Sequence, residues 1–118
     1  MFEKLFGKAN RAPSYSEVTP QQVEQKRRAK EKILIVDVRE SYEFKEGHIG
    51  GSKLIPLGQL GKRTVELGSV EQEVIVVCRS GNRSAMGARL LTGLGYKKVS
   101  NMRGGMLSWQ RLGLPVSR

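Results

Sequence analysis

The sequence predicts an α/β domain with a mainly parallel sheet that is covered by helices on both sides. Two short apolar runs rich in β-branched residues, at 33–36 and 74–77, are typical of strands buried on both faces. Segments with helical spacing or capping signals precede, separate and follow these runs. Strands that alternate with helices in this way favour a parallel sheet.

The first half of the chain contains three predicted helical segments. Thr19 is a capping residue, Pro20 suits the first helical position and Gln22 completes a capping box, so a helix should begin here. A short helical segment is expected at 41–45. A further short helix is expected over 60–67, ending at Gly68.

The second half contains two predicted helices and a predicted third strand. Apolar residues at helical spacing indicate a helix over 84–94, with Gly95 as its stop. The strand is expected at 96–99. Three apolar residues spaced three apart indicate a closing helix that stops near Gly113: Met106, Trp109 and Leu112.

The composition excludes several kinds of site. The 118 residues correspond to about one domain, which buries roughly two-thirds of its unfolded surface. One cysteine excludes an intramolecular disulfide and a paired-cysteine metal or redox site, and one histidine argues against a multi-histidine metal site. No metal or other cofactor is therefore expected. No apolar run approaches the ~20 residues that span a bilayer.

The start of the chain is predicted to form an arm. Glu3 and Lys4 interrupt its apolar side chains, so it lacks the continuous apolar region of a secretory signal. We expect residues 1–15 to form a partly ordered N-terminal arm, residues 16–118 to form one domain, and the protein to be cytoplasmic.

The charge is strongly and unevenly positive. Lysine and arginine number 21 against 11 acidic residues, and 21 − 11 gives a net charge of +10. Residues 79–118 contain eight basic residues and no acidic one, so this part should attract anions. Tyr15 and Tyr96, the aromatic residues expected to be exposed, offer little basis for stacking nucleobases, which argues against nucleic acid as a partner.

The segment at 78–84 contains the candidate catalytic residues. Cys78 follows a predicted buried strand, and ligands of open α/β sheets bind beyond the carboxyl ends of the strands. The residues after it begin a helix whose free N–H groups carry the positive end of the helix dipole, and Gly81 permits a tight turn. Together with Arg79 and Arg83, these groups would stabilise a nucleophilic thiolate. The alternative is that Cys78 merely fills the core, as buried cysteines often do.

Several short motifs in order make the chain resemble a single-domain rhodanese, a sulfurtransferase domain. The resemblance extends from about Val18 to Pro115. It rests on Asp37-Val38-Arg39-Glu40, Tyr42-Glu43-Phe44, Gly47-His48-Ile49, Gly51-Ser52, Ile55-Pro56-Leu57, the segment 78–84, and Val99, Met102, Gly104-Gly105-Met106 and Trp109.

The resemblance implies a three-layer α/β/α domain with a five-stranded, mainly parallel sheet. Cys78 would take a sulfane sulfur from a small anionic donor such as thiosulfate, form a persulfide, and pass the sulfur to cyanide or a thiol. Because the chain has no second cysteine, the acceptor must be another molecule, a small thiol or a protein. The oligomeric state is not indicated. The residues that would bind the donor are Arg79, Ser80, Gly81, Asn82 and Arg83.

The resemblance also implies supporting roles for residues other than Cys78 and its donor-binding segment. Asp37 and Arg39 are interpreted as a structural charge network near the site, and His48 as a hydrogen-bonding residue that fixes a turn. Ser84 closes the donor-binding segment. Two aromatic residues are expected to pack within the fold: Tyr42 and Phe44.

Three alternatives remain open. The first is a sulfur-relay protein for which thiosulfate is not the physiological donor, and the second is a basic protein-binding module. The third is a cysteine-based phosphatase or arsenate reductase. Their loops hold one residue more between cysteine and arginine than the four residues between Cys78 and Arg83.

Overall fold

A sheet of five strands, all parallel, forms the centre of the computed structural model, which describes residues 14–118. The expected N-terminal arm lies outside the described residues, except for its last two positions. The strands are β1 (Ser16–Val18), β2 (Ile33–Asp37), β3 (Lys53–Leu54), β4 (Glu73–Val77) and β5 (Lys98–Met102), and their order across the sheet is β1-β5-β4-β2-β3.

Within residues 14–118, five α-helices and a short 3₁₀ helix lie between the strands or after the last of them. The α-helices are α1 (Pro20–Arg28), α2 (Ser41–Glu46), α3 (Leu57–Leu60), α4 (Asn82–Gly93) and α5 (Gly105–Arg111), and the 3₁₀ helix is Thr64–Leu67. Within residues 14–118, no helix is both long enough and apolar enough to cross a membrane.

The two strands predicted from apolar runs are neighbours in the middle of the sheet. Val36 and Val76 side chains belong to one buried cluster, together with residues of α4, while Ile35 and Ile75 belong to a second cluster with Trp109 of α5. Side chains of a strand alternate between the two faces, so both faces are covered, and the three-layer α/β/α prediction is confirmed.

The register brings the site to one edge of the sheet. Asp37, the last residue of β2, pairs with Val77, the last residue of β4, and the Val38 N–H donates to the Val77 carbonyl at 2.9 Å. Parallel strands end at the same edge, so the segments after β2 and β4 leave the sheet side by side.

The predicted start of α1 is confirmed. The Gln22 N–H donates to the Thr19 hydroxyl oxygen at 3.1 Å, and the Thr19 N–H donates to the Gln22 side-chain oxygen at 2.8 Å. Two free N–H groups at this helix end are thereby satisfied, as the capping box requires.

Two element boundaries differ from the prediction. The predicted helix over 60–67 is two pieces, because α3 ends at Leu60 and the 3₁₀ helix begins only at Thr64. The predicted strand at 96–99 is instead β5, which begins at Lys98. Tyr96 lies before it and turns inward, where its hydroxyl donates to the carbonyls of Thr64 and Gly68 at 3.2 and 3.0 Å.

Three tyrosines have a different exposure from the one expected. Tyr96 is buried rather than exposed, and Tyr15 is half-buried against the core. Tyr42 does not pack: it is 68% exposed, because the inward position of α2 is occupied by Glu43. Phe44 is half-buried and stacks on the ring of His48, with centroids 3.7 Å apart.

Candidate active site

Two hydrogen-bond donors converge on the sulfur of Cys78. The residue follows β4 and is 1% exposed. Its Sγ accepts a hydrogen bond from the Gly81 N–H at 3.0 Å and another from the Ser84 hydroxyl at 3.1 Å. Donors directed at one atom stabilise negative charge that develops on it during a reaction, so this arrangement can stabilise charge on Sγ.

The backbone of Gly81 makes the first of these contacts possible. Gly81 precedes α4 with a φ of +109°, in the left-handed region that favours glycine. This turn directs its N–H group back towards Sγ. The 12-residue helix that follows adds the positive end of its dipole beside the sulfur.

Helix α5 holds the same segment from outside. The Met106 N–H donates to the Cys78 carbonyl at 2.8 Å, and the Leu107 N–H donates to the Arg79 carbonyl at 3.0 Å. Gly105 begins α5 so close to this backbone that a Cβ there would overlap the carbonyl oxygens of Cys78 and Arg79. The start of α5 therefore fixes the direction in which the segment leaves β4.

Asn101 of β5 holds the other end of the turn. Its side-chain nitrogen donates to the Gly81 carbonyl at 3.3 Å and to the carboxylate of Glu17 at 3.2 Å. The residue is 4% exposed. Gly81 is thus held by contacts from β5 as well as by its own turn.

The two arginines of the segment have different surroundings. Both terminal nitrogens of Arg83 donate to the carboxylate of Glu43, at 2.8 and 2.9 Å. The hydrogen bonds from Arg83 lower the pKa of Glu43 to about 2, and those same bonds raise the pKa of Arg83 above its usual value. Arg79 is exposed and has no ion pair with any residue of the described chain.

Asp37 and Arg39 form a closed, buried pair on the neighbouring segment. Arg39 Nε donates to Asp37 Oδ1 at 2.9 Å, and its Nη2 donates to Oδ2 at 2.8 Å and to the Gly47 carbonyl at 2.8 Å. Asp37 is 1% exposed and Arg39 is 5% exposed. The structure therefore places these two residues beside the site, where they bond to each other.

His48 has its polar contact with the backbone of α2. Its Nδ1 lies 2.8 Å from the Phe44 carbonyl, so this nitrogen must carry a proton and donate it. The backbone of His48 pairs with that of Ser117. These contacts tie a turn to the end of the described chain.

A cleft of about 240 Å³ lies beside the site. Its lining residues come from the segments after β2 and β4 and from α2 and α5: Arg39, Glu43, Glu46, Gly47, Arg79, Met106, Leu107 and Gln110. A small molecule that reached Arg79 would therefore also meet carboxylates. No group of three histidine, cysteine or acidic residues arranged to hold a metal occurs within residues 14–118.

The structure also identifies contacts that the sequence reasoning missed. Glu43 and Gly105 belong to the quoted motifs, but their contacts with Arg83 and with the Cys78 backbone were not expected. Asn101 was not singled out at all. Each of these residues reaches the site from a distant part of the sequence, and only the paired glycines at 104 and 105 offered a signal.

Comparison with known proteins places the chain in a family. Residues 19–112 match the family described as Rhodanese-like domain. A protein of Allochromatium vinosum named sulfurtransferase is 33% identical over 101 residues, covering 86% of this chain and 94% of that protein. YrkF of Bacillus subtilis is 41% identical over 98 residues, and its name describes it provisionally as a sulfur carrier protein.

The match to YrkF covers 83% of this chain but only 52% of that protein, so the chain spans about half the length of this relative. Among solved structures, a rhodanese-related protein of Thermoplasma volcanium superposes with a TM-score of 0.76 at 27% identity. The superposition covers 87% of this chain and 98% of that one. With its parallel sheet and a buried cysteine at the carboxyl edge, the chain belongs to the rhodanese-like sulfurtransferase family.

Proposed function

We propose that this protein transfers a sulfane sulfur by way of a persulfide on Cys78. The thiolate of Cys78 attacks the outer sulfur of thiosulfate or a similar donor and forms a new S–S bond. The old S–S bond breaks, and sulfite leaves with the bonding electron pair. The observation that carries the proposal is the pair of donors, the Gly81 N–H and the Ser84 hydroxyl, directed at Sγ.

The second half of the reaction restores the enzyme. Cyanide or a thiolate attacks the outer sulfur of the persulfide, and Cys78 leaves as a thiolate, which its two donors stabilise again. No second cysteine can accept the sulfur within the chain, so the acceptor is a separate molecule. A reducing compartment such as the cytoplasm would keep Cys78 free between turnovers.

Donor binding is assigned to the segment 79–83. The exposed guanidinium of Arg79 is available to an anion, and the start of α4 supplies backbone N–H groups and a positive dipole end. The donor-binding roles of Ser80 and Asn82 belong to the same proposal. Arg83 would contribute its backbone N–H in the first turn of α4, because its guanidinium is bonded to Glu43.

A sulfur-relay role is the second candidate. The relative from Bacillus subtilis named as a sulfur carrier favours it, as does the absence of a second cysteine. In this case the donor is a persulfide of a small molecule or of a protein, whose thiolate leaves when Cys78 takes its outer sulfur. The acceptor is a thiol, and thiosulfate reacts slowly. The phosphatase alternative is disfavoured by the short loop, whose sulfur is already enclosed by donors from Gly81 and Ser84.

Intact-protein mass spectrometry tests the first half-reaction. Wild type and Cys78→Ala are incubated with thiosulfate and, separately, with an alkyl persulfide. Wild type should gain one sulfur atom that cyanide or a thiol removes, and Cys78→Ala should gain none. A gain from the persulfide alone would favour the relay. No gain from either donor would contradict sulfur transfer and favour a binding module.

A further inference from the structure

We propose that the ion pair between Glu43 and Arg83 selects the sulfur donor, disfavouring doubly charged anions such as thiosulfate and favouring singly charged alkyl persulfides. The inference rests on the proposed sulfur transfer and adds a donor class to it. Glu43 acts here as a positioning residue, because its effect on the donor is exerted through Arg83.

The geometry of the pair keeps the guanidinium of Arg83 occupied. Its two terminal nitrogens donate to both carboxylate oxygens of Glu43, which is the two-pronged contact that an oxyanion of a donor would otherwise take. Glu43 is only 8% exposed. Its Oε1 also accepts a hydrogen bond from the Glu40 N–H at 2.9 Å, so the carboxylate is itself held in place.

The charges around the cleft cancel, although the whole chain is strongly basic. Arg39 is neutralised by Asp37, and Arg83 is neutralised by Glu43. Of the ionised groups that line the cleft, this leaves Arg79 and Glu46, one charge of each sign, neither with an ion pair in the described chain. A donor with one negative charge can be compensated by Arg79, whereas a second negative charge meets no other unpaired cation among the residues that line the cleft.

The ion pair persists at neutral pH. Arg83 lowers the pKa of Glu43 to about 2, so Glu43 is ionised at neutral pH. Donor selection should therefore be a fixed property of the site. Removing the charge of Glu43 releases the guanidinium of Arg83, which lies two residues beyond Gly81. A charge-assisted two-pronged contact from this guanidinium to an anionic donor corresponds to roughly tenfold or more in affinity for that donor.

Anion binding tests this inference without any sulfur transfer. Sulfate is the doubly charged probe, methanesulfonate the singly charged one, and the readout is protection of Cys78 from iodoacetamide. In Glu43→Gln, the sulfate concentration for half-protection should fall about tenfold, and the methanesulfonate value should change by about threefold or less. Glu46→Gln is the matched control, since it removes the same charge from the same cleft but leaves Arg83 paired.

The possible results separate the two proposals. An unchanged sulfate value in Glu43→Gln, or an equal shift in Glu46→Gln, would overturn donor selection by the pair. If Glu43→Gln does not fold, Glu43→Asp, one methylene too short for the two-pronged contact, should give a smaller shift in the same direction. A tenfold sulfate shift without persulfide formation on wild type would retain the inference about anion charge and reject sulfur transfer.

Discussion

The segments that follow β2 and β4 leave the same edge of the sheet but satisfy their polar groups in different ways. After β2, the carboxylate of Asp37 and the guanidinium of Arg39 bond to each other and to the nearby Gly47 carbonyl. After β4, donors converge on one sulfur atom, and the backbone around it is held by α5 and by Asn101.

This difference favours a structural role for Asp37 and Arg39 and supports the chemical role proposed for Cys78. A buried ion pair whose hydrogen bonds are satisfied has no unoccupied group with which to bind a ligand, but it is costly to break. A sulfur stabilised by two donors is prepared to carry charge during a reaction. A position at the carboxyl edge of the sheet is therefore not sufficient to assign a catalytic role to a residue. The hydrogen-bond partners of its side chain indicate whether that role is structural or chemical.

The largest loss of stability is expected when the first segment is broken. Asp37→Ala leaves Arg39 buried without its partner, which should lower the free energy of unfolding by about 3–5 kcal/mol. Urea unfolding followed by circular dichroism measures this loss. The fraction that remains folded should still form the persulfide at the wild-type rate.

A double-mutant cycle controls for the partner left behind. Arg39→Ala alone should also be costly, but the double variant Asp37→Ala/Arg39→Ala should lose less than the sum of the two single variants, because no unpaired charge remains. Wild-type stability in Asp37→Ala together with lost persulfide formation would show that Asp37 acts on the chemistry, contrary to the structural interpretation.

An intermediate effect is expected when the outer support of the second segment is disturbed. Gly105→Ala places a methyl group against the carbonyls of Cys78 and Arg79, at a φ of +58°. Crowding and backbone strain together should lower the free energy of unfolding by about 2–4 kcal/mol and should slow persulfide formation, since α5 must move.

Gly113→Ala is the matched control for backbone strain. Gly113 has a φ of +70° but no atom near the position of an added Cβ, so its substitution should cost only about 1–2 kcal/mol. Equal losses in the two variants would mean that the close approach of α5 to Cys78 contributes nothing.

A smaller effect, confined to reactivity, is expected at Ser84. Ser84→Ala removes one of the two donors to Sγ. Losing a hydrogen bond to a charged sulfur should lower the reactivity of Cys78 about tenfold. The rate of alkylation by iodoacetamide at neutral pH measures this change. Ser80→Ala is the same substitution in the same segment at an exposed residue without a hydrogen bond to Sγ, and it should react at nearly the wild-type rate.

The sequence was informative wherever the deciding interactions are local. The central strands were predicted because each apolar run is short, continuous and rich in β-branched residues, and the start of α1 because Thr19 and Gln22 are three residues apart. The donors to Sγ also lie within six residues of Cys78. The sequence therefore located the loop that surrounds Cys78, and the role of Cys78 as a nucleophile stays a prediction.

Interactions between distant residues could not be predicted in the same way. Arg83 and Glu43 are 40 residues apart, and no periodicity indicates that they meet. Strand β3 has only two residues, Lys53–Leu54, and owes its conformation to pairing with β2 and not to a pattern of its own. The inward turn of Tyr96 likewise depends on two carbonyls about 30 residues earlier in the chain.

The smallest effect on stability is expected at the ion pair of Glu43 and Arg83, which is partly exposed, unlike the buried pair of Asp37 and Arg39. Arg83 lowers the pKa of Glu43 from its usual 4.5 to about 2, so the folded state favours the ionised carboxylate. The stabilisation is complete above pH 4.5 and is lost as the pH falls through 2. Wild type should exceed Glu43→Gln in free energy of unfolding by about 1 kcal/mol between pH 5 and 7, and this difference should shrink between pH 4.5 and 2. Urea unfolding across this range measures it, and a difference that stayed constant down to pH 2 would show that the introduced amide packs poorly and that the charge of Glu43 contributes nothing.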